Sequence, residues 1–303
     1  MTTLKIAFSY LAYPFTIANY FRRSLERRQD VELFTLGAFT GQWIPWNGGM
    51  TIPSKYLNSL DLPLPDNMLH PSWEQIEGML PWKPDLSITV DAGWYYSTKP
   101  AVLSAHVATD PHVLDYTQGR KNSDFFFNMQ PSYMRDGDIL LPYAFDPACH
   151  YPEAIEKEYD VAMIGLRYTN RDSLVSAFTA NGITYKYGTG EIYDEYRETY
   201  NKARYGVVQS SLEDVIARVF EVMAMRLVPI LNRLPGLDAL GFEEGRHYLG
   251  FSNVPEAISK IQWAKENPEM AGQIANGAYQ FVHEHNMTYD GRIQQILEKV
   301  GLV

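Results

Sequence analysis

From Tyr159 onward the chain keeps one rhythm: a short apolar run, a stretch with helical spacing, then another apolar run. The spacing predicts strands over 159–165, 183–187, 204–209, 228–232 and 247–251. It predicts helices over 170–180, 191–201, 211–226, 236–241 and 254–266. Strict alternation constrains the fold strongly, because neighbouring parallel strands must be joined by a crossover and a helix is the usual one. The first half opens the same way, with a strand over 4–10, a helix over 15–28 and a strand over 31–36. A helix over 72–80 and apolar runs at 85–91, 101–108, 124–129 and 139–145 follow. The expected class is α/β, with two Rossmann-like doubly wound domains facing across a cleft. Ligands of such sheets bind beyond the carboxyl ends of the strands, so chemistry is sought in the strand-end loops.

The joint is placed in the polar stretch 146–158, which holds Pro147 and Pro152. This gives a first domain over 1–150 and a second over 151–285. The remaining segment, 286–303, carries an apolar stripe of Tyr289, Ile293, Ile296, Leu297 and Val300, which needs a partner surface. It is expected to pack back on the first domain. The stretch 38–71 is rich in Pro, Gly, Trp and Asn and reads as a long surface excursion.

Charge and cysteine usage exclude several classes. A net charge of −10 argues against a broad nucleic-acid surface, which needs clustered Lys and Arg. The basic group Arg22, Arg23, Arg27 and Arg28 reads as the solvated face of a helix. The one cysteine, Cys149, allows no intrachain disulfide and fits a reducing compartment, so a cytoplasmic setting is expected. No apolar run approaches the roughly 18 residues of a membrane span. The opening 4–10 lacks a basic leader and a small-residue cleavage site, and so reads as a strand.

The segment from Ser210 to Ala224 is the most informative. Ser210 and Glu213 have capping-box spacing, which predicts a helix start there. Most of the helix is apolar, yet Ser211, Asp214, Arg218 and Glu221 recur three or four residues apart. One reading is a buried Arg218–Glu221 or Arg218–Asp214 pair that satisfies itself; such pairs rarely add net stability. The other is a ligand-facing stripe. The helix N-terminus would then offer N–H groups to a diphosphate, Arg218 would add forked donors, and Glu221 would accept from ribose hydroxyls.

The run Arg218-Val219-Phe220-Glu221-Val222-Met223-Ala224, followed by Val228-Pro229-Ile230-Leu231, resembles the "fE.mA.G.pvl" box of GT-B glycosyltransferases, most closely their CgeB-like branch. Leu141-Pro142-Tyr143-Ala144-Phe145-Asp146-Pro147 with His150 resembles that family's "LP.a.DP..h" junction. Ile164-Gly165 with Tyr168, Asn170 and Arg171 resembles its "vG..y.nR" entry to the second domain. Tyr200-Asn201-Lys202-Ala203 resembles the lead into the donor strand, and Phe251, Glu256, Ala257, Gly277, His285 and Arg292 resemble the closing helices. The likeness covers roughly residues 80–300. It implies a GT-B fold and a nucleoside-diphosphate sugar such as a UDP-sugar as donor, held by Gly165, Arg171, Ser210, Ser211, Arg218 and Glu221. It implies no other cofactor and no obligatory metal. The acceptor, a saccharide, a protein or a modified nucleobase, is left open. One departure stands in the box itself: the family has Gly after a small pair, and here Met225-Arg226 occupies that place.

In the first half, Asp110 and His112 follow an apolar strand and are the candidates for a general base toward an acceptor hydroxyl. The plain alternative is that Asp110 caps a helix with Pro111 at its first position. His106 reads as either buried or functional. Asp136-Gly137-Asp138 has the look of a metal motif but reads as a turn. His283-Glu284-His285 lacks zinc-helix spacing, and Gly188-Thr189-Gly190 lacks the rest of a dinucleotide fingerprint. Trp43, Trp46, Trp94, Tyr95 and Tyr96 are leads for stacking surfaces. Two rivals keep the same fold: a non-catalytic nucleotide- or sugar-binding protein, and an epimerase or phosphorylase.

Overall fold

The computed structural model describes residues 3–41, 43–44, 50–51, 53–90, 93–210 and 212–303. It divides into two compact units, Met1–Pro142 with Tyr289–Val303, and Tyr143–Thr288.

The first unit contains β1 (Leu4–Leu11), α1 (Ala18–Glu26), β2 (Val31–Ala38), the antiparallel pair β3 (Trp43–Ile44) and β4 (Met50–Thr51), and β5 (Leu62–Pro63). It continues with α2 (Trp73–Glu77), β6 (Leu86–Val90), β7 (Leu103–Ala108), α3 (Thr117–Lys121), β8 (Phe125–Asn128) and β9 (Ile139–Leu140). Among the described residues its main sheet has seven parallel strands in the order β5-β2-β1-β6-β7-β8-β9. Every residue of β6 is buried, as expected of a strand covered on both faces. The apolar run 139–145 is a strand only over Ile139–Leu140: Leu141 still donates to the Asn128 carbonyl at 2.9 Å, and then Pro142, with no N–H, ends the ladder.

The second unit contains β10 (Tyr159–Ile164), α4 (Thr169–Ala180), β11 (Tyr185–Gly188), α5 (Tyr193–Asn201), β12 (Ala203–Val208), α6 (Ala217–Ala224) and β13 (Val228–Asn232). It ends with α7 (Pro235–Ala239), β14 (Leu249–Phe251), α8 (Val254–Glu266) and α9 (Pro268–Glu284). Its five parallel strands run β11-β10-β12-β13-β14, so the strand order reverses between β10 and β12. Residues 143–150 go with this unit for a local reason. Phe145 donates to the Met287 carbonyl at 3.1 Å and bridges Thr288, while the turn at Asp146–His150 packs against α5 and α6 through His150.

The last helix, α10 (Tyr289–Lys299), is part of the first unit and packs on α1. Tyr289 is fully buried, stacked on Tyr20 at 5.3 Å and edge-on to Phe21 at 5.0 Å. The basic group on α1 serves this contact more than solvent. Arg27 and Ser24 both bond Asp290 at 2.6 Å, and Arg28 bonds Gln294 at 3.1 Å. Buried Arg292 fastens the helix to the Pro142 carbonyl at 2.7 Å.

Helix α6 explains the departure noted in the box. Arg226 has φ 59°, the left-handed conformation. Its N–H bonds the Met223 carbonyl at 3.0 Å, and Leu227 bonds Val222 at 3.2 Å, which is a Schellman closure with Arg in the place usually held by Gly. The side chain reaches Asn276 at 2.6 Å and lies 5.8 Å from the Tyr279 ring. The left-handed conformation costs a non-glycine residue roughly 1–2 kcal/mol, more than an exposed hydrogen bond returns. Arg226→Gly should therefore raise the thermal unfolding midpoint of the second unit, by about 2 °C on the usual scaling for its size. A calorimetric scan showing a lower midpoint would mean that the Asn276 and Tyr279 contacts outweigh the strain.

Candidate functional site

The reversal of strand order puts the carboxyl ends of β10 and β12 side by side, and the loops after them hold most of the expected site. The chain leaves β10 at Gly165, whose φ is +150° and whose N–H bonds the Gly188 carbonyl at 2.8 Å. A Cβ here would collide with the Arg218 guanidinium and would sit 3.2 Å from Arg171 Nη1. Gly165, Arg171 and Arg218 are thus brought into one place, and only glycine leaves room for both guanidinium groups.

The two arginines differ in what they bond. Arg171, at the start of α4, spends its donors on backbone carbonyls: Nε and Nη2 reach Gln209 at 3.1 and 2.8 Å, and Nη1 reaches Leu166 at 2.7 Å. It ties the loop after β10 to the loop after β12. Burial, with the neighbouring charge of Arg218, pulls its pKa down to about 10. Arg218 has no such set of acceptors. Its Nε and Nη1 atoms are buried without a hydrogen-bond partner among the described residues. Burial acts to lower its pKa, but Tyr200, Tyr196 and Glu221 outweigh this and hold it above the ordinary value.

Glu221 lies one turn further along α6 and is 6% exposed. Tyr196 on α5 donates its hydroxyl to Oε2 at 2.5 Å, and His150 Nε2 stands 3.7 Å from Oε1. Burial raises the Glu221 pKa, with Tyr196 and Arg218 acting against it. One carboxylate oxygen is therefore taken by Tyr196, His150 stands near the other, and no direct Arg218–Glu221 bond is formed among the described residues. Tyr196, Tyr200 and His150 were not anticipated as site residues. Tyr196 and Tyr200 are four apart on α5, but buried tyrosines at that spacing read as core.

The loop between β12 and α6 corrects the expected capping box. The helix starts at Ala217, and its N-cap residue Ile216 makes no side-chain cap bond. Ser210 instead closes a turn: its hydroxyl bonds the Leu212 carbonyl and the Asp214 carboxylate, and Leu212 N–H returns to Ser210 Oγ at 3.2 Å. Ser210 N–H is held by Asn232 Oδ1 at 2.9 Å, and its carbonyl accepts from Asn170 at 3.2 Å. Ser211 lies outside the described residues. The opening turn of α6 thus has no side-chain cap from Ile216, and Val219 N–H bonds the Ile216 carbonyl at 3.1 Å.

Asp110 and His112 lie in the first unit, just past the carboxyl end of β7. No helix begins there: Val113 and Leu114 turn back onto the Asp110 carbonyl, and α3 starts only at Thr117. Asp110 Oδ2 accepts from Thr109 at 2.9 Å, its N–H meets the Tyr116 hydroxyl at 3.2 Å, and the His112 ring lies 5.5 Å from Tyr133. His106 is buried and stacked on Phe126 at 5.5 Å; burial, with Arg120 nearby, brings its pKa to about 3. Asp138 is a turn anchor, bonded to Arg120 at 2.7 Å, to Asn128 at 2.9 Å and to the Arg135 N–H at 3.0 Å. Among the described residues no three His, Cys, Asp or Glu side chains gather as a metal cluster. Trp94 and Tyr96 are buried, so they stack on core and not on ligand, while Tyr95 stacks on His70 at 3.9 Å. Trp46 and the Trp43 side chain lie outside the described residues. No helix of the described residues is long and apolar enough to cross a membrane.

Residues 152–298 match a family described as glycosyl transferase-like. By sequence, no curated protein matches the chain. Among solved structures, Anabaena HepE in complex with UDP-glucose is similar, with TM-score 0.70 and 10% identity over 99% of this chain and 100% of that one. Sucrose-phosphate synthase from Thermosynechococcus elongatus is similar with TM-score 0.66 and 14% identity, over 97% and 98% of the two chains. A putative UDP-N-acetylglucosamine 2-epimerase from Listeria monocytogenes has TM-score 0.57 and 11% identity, over 98% and 95%. At these identities the likeness to solved structures is one of fold. The family match bears out a glycosyl transferase-like second half, and the solved structures bear out the GT-B fold.

The crowding at Gly165 makes a prediction independent of any ligand. Gly165→Ala adds a strained φ and a collision with Arg218, and should destabilise the second unit by about 2 kcal/mol or more. In an Arg218→Ala background the collision is gone, so the cost should fall by about half, a coupling that a double-mutant cycle reads. Equal costs in both backgrounds, measured by urea unfolding, would show that the guanidinium does not fill the space beside Gly165.

Proposed function

We propose that the chain transfers a glycosyl unit from a nucleoside-diphosphate sugar to an acceptor hydroxyl, with the donor held by the second unit at the ends of β10 and β12. One observation carries the reading: Arg218 buries two nitrogens, Nε and Nη1, without an acceptor among the described residues, next to a second guanidinium and the start of α6. That combination of fixed positive charge and open donors suits a diphosphate. The UDP-glucose bound to the similar Anabaena protein supports a uridine nucleotide as the first donor to try. The sequence resemblance supports the CgeB-like branch, and the lone thiol of Cys149 suits a reducing cytoplasm.

In this scheme the acceptor oxygen attacks the anomeric carbon, the bond from that carbon to the diphosphate oxygen breaks, and the nucleoside diphosphate leaves. Arg218 and the α6 N-terminus stabilise the charge that develops on the leaving oxygen, and Arg171 keeps the two loops in register. Asp110 or His112 takes the acceptor proton. The reaction needs no metal and no cofactor beyond the donor.

The donor assignment is tested by calorimetry with UDP and uridine. Arg218→Ala should weaken UDP by about ten- to one-hundred-fold, as expected for lost charge-assisted hydrogen bonds, and leave uridine nearly unchanged. Unchanged UDP affinity would move the donor site elsewhere. Once an acceptor is found, Asp110→Asn and His112→Ala identify the base in buffer containing EDTA. One of them should lower kcat by about a hundredfold or more with UDP affinity intact. Full turnover in both would remove the pair from the reaction. The similarity to epimerases gives the rival outcome: with UDP-N-acetylglucosamine alone, an epimerised nucleotide sugar instead of released UDP would replace transfer with epimerisation.

A further inference from the structure

We infer that Tyr196 and His150 are positioning residues that clamp the Glu221 carboxylate so that it reads the ribose hydroxyls of the donor. The inference rests on the donor site proposed above and goes beyond it by saying what makes Glu221 selective. Glu221 follows Arg218 by three residues on α6, so it lies on the same face one turn deeper. A carboxylate that is only 6% exposed needs hydrogen-bond donors to offset its burial.

Tyr196 fixes one of them. Its O–H to Oε2 distance of 2.5 Å is that of a charge-assisted bond. Burial, with Glu221 alongside, keeps the phenol protonated by raising its pKa well above the ordinary value. His150 guards the other oxygen without consuming it. Its Nδ1 accepts the Asp146 N–H at 3.1 Å, so the proton of the neutral ring sits on Nε2, facing Oε1 at 3.7 Å. That separation is too long for a hydrogen bond, and Oε1 keeps capacity to accept a hydroxyl. The imidazole is itself held by its turn, where His150 N–H bonds the Asp146 carbonyl at 2.8 Å, and by edge contact with Tyr196 at 5.9 Å.

The test is calorimetry with UDP, 2′-deoxy-UDP and pyrophosphate. The wild-type chain should prefer UDP to its deoxy form by about tenfold, the value of one hydrogen bond to a charged group. Tyr196→Phe should cut that ratio at least threefold while pyrophosphate binding stays within error. His150→Gln, whose amide nitrogen can replace Nε2, should keep most of the ratio, and His150→Ala should not. If Tyr196→Phe binds UDP with an unchanged ratio, or loses all three ligands alike, the positioning role is overturned and the donor site stands. If the wild-type chain binds no UDP, the donor site falls and this inference with it.

Discussion

The strand-end loops of the second unit are organised around Arg218, whose Nε and Nη1 are buried without a hydrogen-bond partner among the described residues. Desolvating N–H groups and leaving them unpaired costs several kcal/mol, so the arrangement persists only if the surrounding packing imposes it. That packing is visible. Phe220, Val222, Met223 and Ala224 of α6 are fully buried, and they set the rotation of the helix. Gly206 on β12 lets the helix come close, since a Cβ there would strike Val222. With the apolar face fixed in this way, Arg218 meets Gly165 and Arg171 where the strand order reverses. A doubly wound sheet opens its crevice at that reversal, so topology and charge point to the same spot.

Much of this was legible in the sequence because it rests on periodicity. Alternating runs located most strands of both parallel sheets, though β5 lies in the stretch read as a surface excursion and the run 139–145 is a strand only over Ile139–Leu140. The shared face of Arg218 and Glu221 followed from their spacing alone. What escaped the sequence was any feature decided by where a side chain turns. Ser210 and Glu213 imitate a capping box, but the Ser210 hydroxyl prefers the nearer Leu212 carbonyl and Asp214, which delays the helix to Ala217. Asp110-Pro111 imitates a helix start, but the chain closes a turn on the Asp110 carbonyl instead. Tyr196 and His150 come from segments far apart in the chain, and no local spacing links either of them to Glu221.

The contrast between Arg171 and Arg218 shows why residue type alone does not assign a role. Both lie at the same strand ends, Arg171 buried and Arg218 half-buried. Arg171 is satisfied by the carbonyls of Gln209 and Leu166, so removing it would loosen two loops. Arg218 instead leaves Nε and Nη1 unpaired among the described residues while Tyr200, Tyr196 and Glu221 favour its charge. Placing two such cations together raises the energy of the empty site, since each disfavours the charge of the other. An anion between them reverses that sign, and binding is strengthened by the repulsion it removes.

The fold by itself leaves the reaction open, because transferases and an epimerase share it at similar coverage. Discrimination therefore falls to side chains that the shared backbone does not dictate. In this chain they lie in two groups. The first group, from Gly165 to Glu221, is built on strands and a helix whose positions the core enforces. The second group, Asp110 and His112, sits on a turn after β7, where Asp110 is held by Thr109 and Tyr116 and less of the backbone is locked into regular structure. Holding one group on regular elements and the other on turns lets one fold keep some side-chain contacts while others vary.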